Sequence, residues 1–182
     1  MSHVASVTYR EATSDDVDAI HDVARATWEH DYPNVVNREA VTETVEEWYD
    51  PDRLRADIQR GDALVVVVER RDREGDAADD AGGNGECDVT GFVHAVVDGD
   101  RGTLLRAYVH PDARGDGLGR GLVDAALDAF RDRGCDRAEA MVLARNDPGN
   151  AFYRKLGFEH VATDSTIVGG DGYDEHVYLK YL

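Results

Sequence analysis

Tyr108-Val109-His110-Pro111-Asp112-Ala113-Arg114-Gly115-Asp116-Gly117-Leu118-Gly119-Arg120-Gly121 is the stretch from which the rest of the chain is read. The apolar run from Leu104 to Val109 reads as a strand, and His110-Pro111-Asp112 as a turn. Glycines then alternate at 115, 117, 119 and 121 while an apolar helical pattern starts at Leu118. A strand, a glycine-rich loop and a helix start in that order aim unpaired backbone N–H groups at one point. The helix dipole adds roughly half a positive charge there, which suits a phosphate. Glycine permits close approach and positive φ at little cost. Arg114 and Arg120 flank the loop as sources of charge-assisted hydrogen bonds.

Three phosphate-binding loops compete for this pattern. A Walker loop needs Gly-Lys-Ser/Thr, and no lysine precedes Lys155. A dinucleotide loop needs G-x-G-x-x-G, but the sixth position from Gly115 is Arg120 and from Gly117 is Leu122. The third pattern, R-x-x-G-x-G, is met by Arg114, Gly117 and Gly119. A second segment follows: Asn146-Asp147-Pro148-Gly149-Asn150-Ala151-Phe152-Tyr153-Arg154-Lys155-Leu156-Gly157-Phe158-Glu159. The two segments together resemble the GNAT superfamily of acyl-CoA-dependent N-acyltransferases, strongly from about Thr103 to Glu159 and more weakly, in order, from Val7 to Val97.

The resemblance implies an α/β (α+β) fold, a mixed and mostly antiparallel sheet with helices on both faces. Its two central parallel strands splay, and the pantetheine arm of the cofactor enters the gap. It implies acetyl-CoA as co-substrate, with the pyrophosphate held by the loop Arg114, Gly115, Asp116, Gly117, Leu118, Gly119 and Arg120. The strand carrying Ala107, Tyr108 and Val109 would offer backbone groups to the pantetheine amides. Tyr153 would be the general acid for the leaving thiolate, since a phenol with an ordinary pKa of ~10 is protonated at neutral pH. Asn146 would bond the cofactor, or alternatively shape the loop before the helix.

The implied activity is direct transfer of an acetyl group to a primary amine of a small molecule or protein. The alternative is a non-catalytic acyl-CoA sensor on the same fold. It draws support from Thr103, which stands where many relatives carry a glutamate base. Glu43, Glu46, Glu47, His94, His176 or a water chain are the remaining candidates for the base. Trp28, Tyr32, Trp48, Tyr49 and Tyr173 are candidates for the amine site, or for core.

Along the chain, Val7–Arg10 reads as a strand, and Ser14 caps a helix with Val17, Ile20, Ala24 and Trp28 on one face. Asn37 caps a second helix, and Asp50-Pro51 opens a third helical segment ended by Gly61. Ala63–Arg70, Val89–Val97 and Thr103–Val109 read as strands. The acidic stretch 71–88 reads as a flexible hairpin loop. After the Leu118 helix come a strand Arg137–Leu143, a helix Pro148–Leu156 capped by Asp147, and strands Phe158–Thr163 and Glu175–Leu182. The resulting order, β-α-α-β-β-β-α-β-α-β-β, fits one GNAT domain over residues 1–182.

Composition narrows the function classes. The 182 residues are 42% hydrophobic, enough for a core. Against 20 basic residues stand 38 acidic ones, a formal charge of −18, which disfavours nucleic acid as a partner. Cys87 and Cys135 lack metal or redox spacing, and the seven histidines show no paired metal spacing, so no metal is expected. The apolar run Ala63–Val68 is too short to span a membrane, and no leader pattern opens the sequence. A cytoplasmic protein is expected, with a homodimer left open.

The acids are spread along the chain, and Lys155 and Lys180 are the only lysines. Halophilic adaptation is the reading of that surface; attraction of a cationic amine is the alternative. Crowded carboxylates repel, and the Debye length shrinks from ~10 Å at 0.1 M salt to ~3 Å at 1 M. The melting temperature should therefore keep rising into molar KCl. A thermal melt that is flat from low salt to multimolar KCl would remove the halophilic reading.

Overall fold

The computed structural model describes residues 6–71 and 88–182, with the Arg38 side chain left aside. Its elements run β1 (Ser6–Glu11), α1 (Val17–Asp31), α2 (Arg38–Trp48), α3 (Pro51–Gln59), β2 (Ala63–Arg71), β3 (Asp88–Asp98) and β4 (Arg101–Val109). They continue with α4 (Leu118–Asp132), β5 (Arg137–Leu143), α5 (Asp147–Lys155), β6 (Glu159–Val168) and β7 (Asp171–Tyr181). One seven-stranded sheet has the order β1-β2-β3-β4-β5-β7-β6. Its pairings are antiparallel except β4 with β5, the parallel pair expected at the centre.

The run Ala63–Val68 is continuously apolar because both faces of β2 are covered. Leu64, Val66 and Val68 belong to a core shared with Leu118, Leu122, Ala126 and Phe130 of α4. Val65 and Val67 belong to a second core with Ile20, Ala24 and Trp28 of α1 and Leu54 of α3. The period-2 alternation of the strand thus feeds two helical layers, one on each side of the sheet.

Several element ends follow from local chemistry. Asn37 Oδ1 accepts from Ala40 N at 2.7 Å, and Asp50 Oδ1 accepts from Asp52 N and Arg53 N at 3.0 Å, as their cap positions predict. The third helical segment, absent from the expected order, is a helix of nine residues. Ser14 does not cap α1: Ser14–Asp16 form a short 3-10 turn with Thr13 in front, and Asp16 Oδ2 accepts from Thr13 N at 2.7 Å. Before α5 the cap is Asn146 rather than Asp147; its Oδ1 accepts from Gly149 N at 3.0 Å. Here the side chain one residue earlier reaches the free N–H.

The terminal hairpin is longer than its sequence suggests. β6 and β7 pair as far as Val168 and Asp171, joined at Gly169-Gly170, where both φ are positive. β6 is a sheet edge exposed over nearly all its length, so it carries no apolar alternation to read. Of the expected flexible loop 71–88, residues 72–87 lie outside the described residues; Arg71 ends β2 and Asp88 begins β3, where it pairs with Arg70.

At the centre, β4 and β5 pair only from Arg101 with Arg137 to Leu104 with Ala140. Next to that last pair, His94 of β3 faces Arg106 while Ala95 faces Leu104, which leaves Leu105 as an extra residue in β4. Such a bulge bends its strand and raises the local twist. It also resets the alternation: Leu104 and Ala107, three apart, both join the core under α4. Beyond the bulge the two strands no longer pair, which is the expected splay.

The end of the parallel pair is packed tightly. A Cβ at Gly102 would fall on the ring of Phe130, itself fully buried. Gly102→Ala should cost about 1–3 kcal/mol, the usual range for overpacking. Its pairing with Phe130→Leu should cost less than the sum of the two single changes, since the smaller side chain makes room. Urea denaturation of the four proteins at fixed KCl checks this, and additive costs would show that the ring is not the obstacle.

Candidate active site

The splay opens into a cavity of about 760 Å³. Ala107, Tyr108, Val109, Arg114, Gly115, Gly117, Leu118, Gly119, Arg120, Asn146 and Tyr153 all line it, so residues far apart in sequence converge on one space. Asp116 does not line it; its carboxylate lies 2.7 Å from Arg70 Nη1 and is exposed.

The strand side of the cavity is built from β4 backbone beyond the last β5 pair among the described residues. His110 N donates to Thr90 O at 2.8 Å, one position beyond the Gly91–Val109 pair of the register. In an antiparallel ladder the exchanging pairs alternate, so Phe92–Tyr108 also exchanges bonds. The backbone groups of Ala107 and Val109 then face the other edge, toward the gap left by β5. Val109 O already accepts from Arg114 Nε at 3.0 Å.

The loop side is a bare helix start. Gly117 is the residue before α4, with φ of 78°, and no side chain caps the first turn. Gly115 has φ of 102°, and at both glycines the space where a Cβ would stand is open. The first turn carries no acidic residue to compete with an incoming anion. An extended phosphorylated group such as coenzyme A fits this combination of free donors, open approach and a channel through the sheet.

The two arginines divide their work differently from the sequence expectation. Arg114 binds Asp31 with both terminal nitrogens at 2.8 Å, so its charge fastens the loop to the end of α1. Burial pushes the Asp31 carboxyl up, but hydrogen bonds from Arg114 and His30 outweigh it and hold it below the ordinary range. Arg120 is exposed, 3.5 Å from Asp124, and lines the cavity. Lys155, one of the two lysines, also lines it, a position that no motif in the sequence marked.

Tyr153 is buried in an aromatic cluster. Its ring stacks on Tyr178 at 6.2 Å and meets Phe152 and Phe158 edge-on at 5.2 and 5.3 Å. Burial, helped by neighbouring Tyr108, pushes its phenol above the ordinary value, so it stays protonated through neutral pH. Behind the cavity, Asn150 holds the chain together. Its Nδ2 donates to Asn146 O at 2.7 Å, and its Oδ1 accepts from Tyr178 OH at 2.7 Å and His176 Nδ1 at 2.8 Å.

On the opposite face the cavity is walled by Thr27, Trp28, Tyr32, Trp48, Arg106, Met141, Thr166, Val168 and Glu175. Of the aromatic candidates, Trp28, Tyr32 and Trp48 line it. Tyr49 is fully buried behind them, linked by its hydroxyl to Tyr108 at 3.0 Å, and Tyr173 does not reach the cavity. The Thr27 hydroxyl is buried without a partner among the described residues.

None of the base candidates lines the cavity. Glu43, Glu46 and Glu47 lie exposed on α2. His176 is held by Asn150. His94 is enclosed between Arg106 and Asp57, and burial first and the Arg106 charge second bring its pKa down to about 4. Thr103 is buried in the paired part of β4, below the splay. Glu175 does line the cavity, and a single acid in a polar strand has no spacing to mark it in the sequence.

The sequence model of the acetyltransferase (GNAT) family matches residues 22–158, three quarters of the chain. The chain belongs to the GNAT acetyltransferase family. As a GNAT protein it is an acetyl-CoA-dependent N-acetyltransferase. It is 22% identical over 161 residues to a spermidine N(1)-acetyltransferase of Thermoplasma acidophilum, covering 88% of this chain and 93% of that one. A crystal structure of the PaiA N-acetyltransferase from Thermoplasma acidophilum in complex with coenzyme A superposes with a TM-score of 0.77 at 22% identity. It covers 97% of this chain and 99% of that one. A mycothiol acetyltransferase of Saccharomonospora viridis is 50% identical over 69 residues, 38% of this chain but only 22% of that protein.

Gly117→Val should weaken coenzyme A binding at least tenfold, because it forces a β-branched residue to positive φ and fills the open approach to the helix start. Gly119→Val tests the space without the strain, since Gly119 lies in the first turn of α4. Calorimetric titration with coenzyme A checks both. Undiminished affinity in the two variants would move the phosphate site elsewhere.

Proposed function

We propose that this GNAT protein moves the acetyl group of acetyl-CoA onto a primary amine of a small molecule or peptide by direct attack. One GNAT domain over residues 1–182 carries the activity, supported by the single sheet that runs from β1 to β7. The observation that carries the reading is the cavity through the splay, which puts the uncapped start of α4 and the buried phenol of Tyr153 on one space. Acetyl-CoA supplies an acyl group already activated as a thioester.

The chain supplies position and protons. The N–H groups at the start of α4 take the pyrophosphate, with Arg120 and Lys155 adding positive charge at the mouth. In a chain of charge −18 this local reversal favours an anion that the rest of the surface repels. Ala107 and Val109 offer edge backbone groups to the pantetheine amides. Asn146 shapes the turn before α5, and its Nδ2 lies 3.4 Å from Tyr32 OH, joining the cofactor side to the aromatic wall. Tyr153 donates its proton to the departing sulfur.

The aromatic wall of Trp28, Tyr32 and Trp48 suits the alkyl part and charge of an ammonium group. The relative named for spermidine makes polyamines a first acceptor to test. Among the described residues no helix is long and apolar enough to cross a membrane, and the charge supports a salt-rich cytoplasm as the setting.

Tyr153→Phe keeps the ring packing and removes only the proton donor. The expected outcome is a kcat lower by ~10²–10⁴ with coenzyme A affinity nearly unchanged. Steady-state and single-turnover rates in molar KCl, with spermidine, amino-acid amides and peptide N-termini as acceptors, check it. A kcat within about threefold of wild type, with chemistry shown to limit the rate, would reduce Tyr153 to a packing residue.

A further inference from the structure

Glu175 is a half-buried carboxylate that lines the cavity and makes no hydrogen bond or ion pair among the described residues. Its neighbour across the ladder in β6 is Asp164, a like charge that costs stability and returns no contact. Burial, then Asp164, pushes its pKa above the ordinary range. An ion-pair or cap role would have the opposite effect on the proton.

The position on β7 explains what the group faces. Glu175 stands opposite Leu143 of β5, the last residue of the strand beyond the splay. Tyr173, two residues earlier on the same face, packs with Leu143 and Val168 against the core of α1 and α2. His176 and Tyr178 point to the other face, where Asn150 holds them and Tyr153 stacks. Glu175 and Tyr153 therefore reach one cavity from opposite faces of the sheet.

The other titratable groups around it are engaged or of the wrong kind. On α1, Asp31 is bound by Arg114, and the Tyr32 hydroxyl is buried with a raised pKa. On β4, Arg106 stacks on Trp48 and Tyr49, and Tyr108 is linked to Tyr49. On the α5 side stand Tyr153 and Lys155, and on β6 Asp164. Of the carboxylates on the cavity wall, Glu175 alone is without a cation.

We propose that Glu175 is the general base of the transfer reaction, taking the proton from the acceptor ammonium on the face of the sheet opposite Tyr153. This rests on the acetyl-transfer reading above. The Glu175 carboxylate accepts one N–H proton and frees the nitrogen lone pair. The C–N bond forms at the acyl carbon as the C–S bond breaks, and the sulfur leaves with the electron pair. Tyr153 protonates that sulfur and recovers its proton through water from the second N–H of the former ammonium. The third stays on the amide, and Glu175 returns its proton to solvent, so the reaction releases coenzyme A, an N-acetylated amine and one proton.

Glu175→Gln and Glu175→Asp test the assignment, with acetyl-CoA and the fastest acceptor among spermidine, glycinamide and a tripeptide N-terminus, in molar KCl. The Gln variant should lose ~10²–10⁴ in kcat at pH 7 with coenzyme A affinity within twofold of wild type. The defect should shrink as the pH approaches the pKa of the acceptor, where the free amine is already present. The Asp variant should keep part of the rate. The wild-type rate should rise with pH through a pKa above the ordinary ~4.3 of glutamate, and that acid limb should vanish in the Gln variant.

Carbon-13 NMR of labelled glutamate should show one carboxyl titrating above the ordinary range in wild type and missing from Glu175→Gln. A kcat within threefold of wild type, a rise in KM alone, or loss of coenzyme A affinity in the Gln variant would each overturn the proposal. Failure of the wild-type protein to bind coenzyme A would overturn the acetyl-transfer reading itself, and this base with it.

Discussion

Beyond Leu104 and Ala140 the two central strands stop sharing hydrogen bonds, and the molecule is organised around that interruption. Backbone N–H and C=O groups inside a protein are nearly always paired, because leaving them dry costs as much as a lost hydrogen bond. A sheet that parts at its centre must therefore meet water or a ligand there. The extra residue at Leu105 bends β4 away from β5, and β7 fills in on the far side of β5, so the gap is bounded rather than frayed. α4 starts at one mouth of this gap and the aromatic wall from α1 and α2 closes the other.

The cavity also answers an electrostatic difficulty. A surface of charge −18 repels a polyanionic cofactor, so the binding site has to reverse the local field. In the proposed reading it does so with uncharged parts first, the dipole and free N–H groups of α4, and with Arg120 and Lys155, which line the cavity. Arg114, the most conspicuous charge in the loop motif, is neutralised by Asp31 and instead fixes where the loop sits. The proposed site would thus have its geometry set by ion pairing and its affinity for an anion rest on backbone.

In the proposed mechanism, chemistry is divided between the two faces of the sheet. The face under α4 and α5 is the donor side, where Tyr153 keeps its proton because burial disfavours the phenolate. The face under α1 and α2 would be the acceptor side, where Glu175 stands beside Asp164 without a cation among the described residues. The same desolvation that holds a phenol protonated makes a carboxylate a better base. A single low-dielectric cleft can thus move both groups in the directions that amine acylation needs.

Much of the fold was legible in the linear order of residues. The glycine loop, the caps at Asn37 and Asp50 and the two-sided apolar run of β2 act over a few residues, so sequence alone set them. Two motifs in order carried the family and its mixed sheet. The edge hairpin β6–β7 was read short because an exposed strand leaves no apolar pattern. The pairing of Arg114 with Asp31, the capping by Asn146, the exclusion of His94 and Glu43 from the cavity and the placing of Glu175 and Lys155 on its wall were invisible. They join positions from different elements, and only the packing of the sheet between two helical layers decides which side chains share a space. Sequence fixed where the chain would turn, pair and present free N–H groups, because those are local preferences. The tertiary structure alone decided which charges cancel and which stay unpaired, because charge interaction depends on distance and burial rather than on position in the chain.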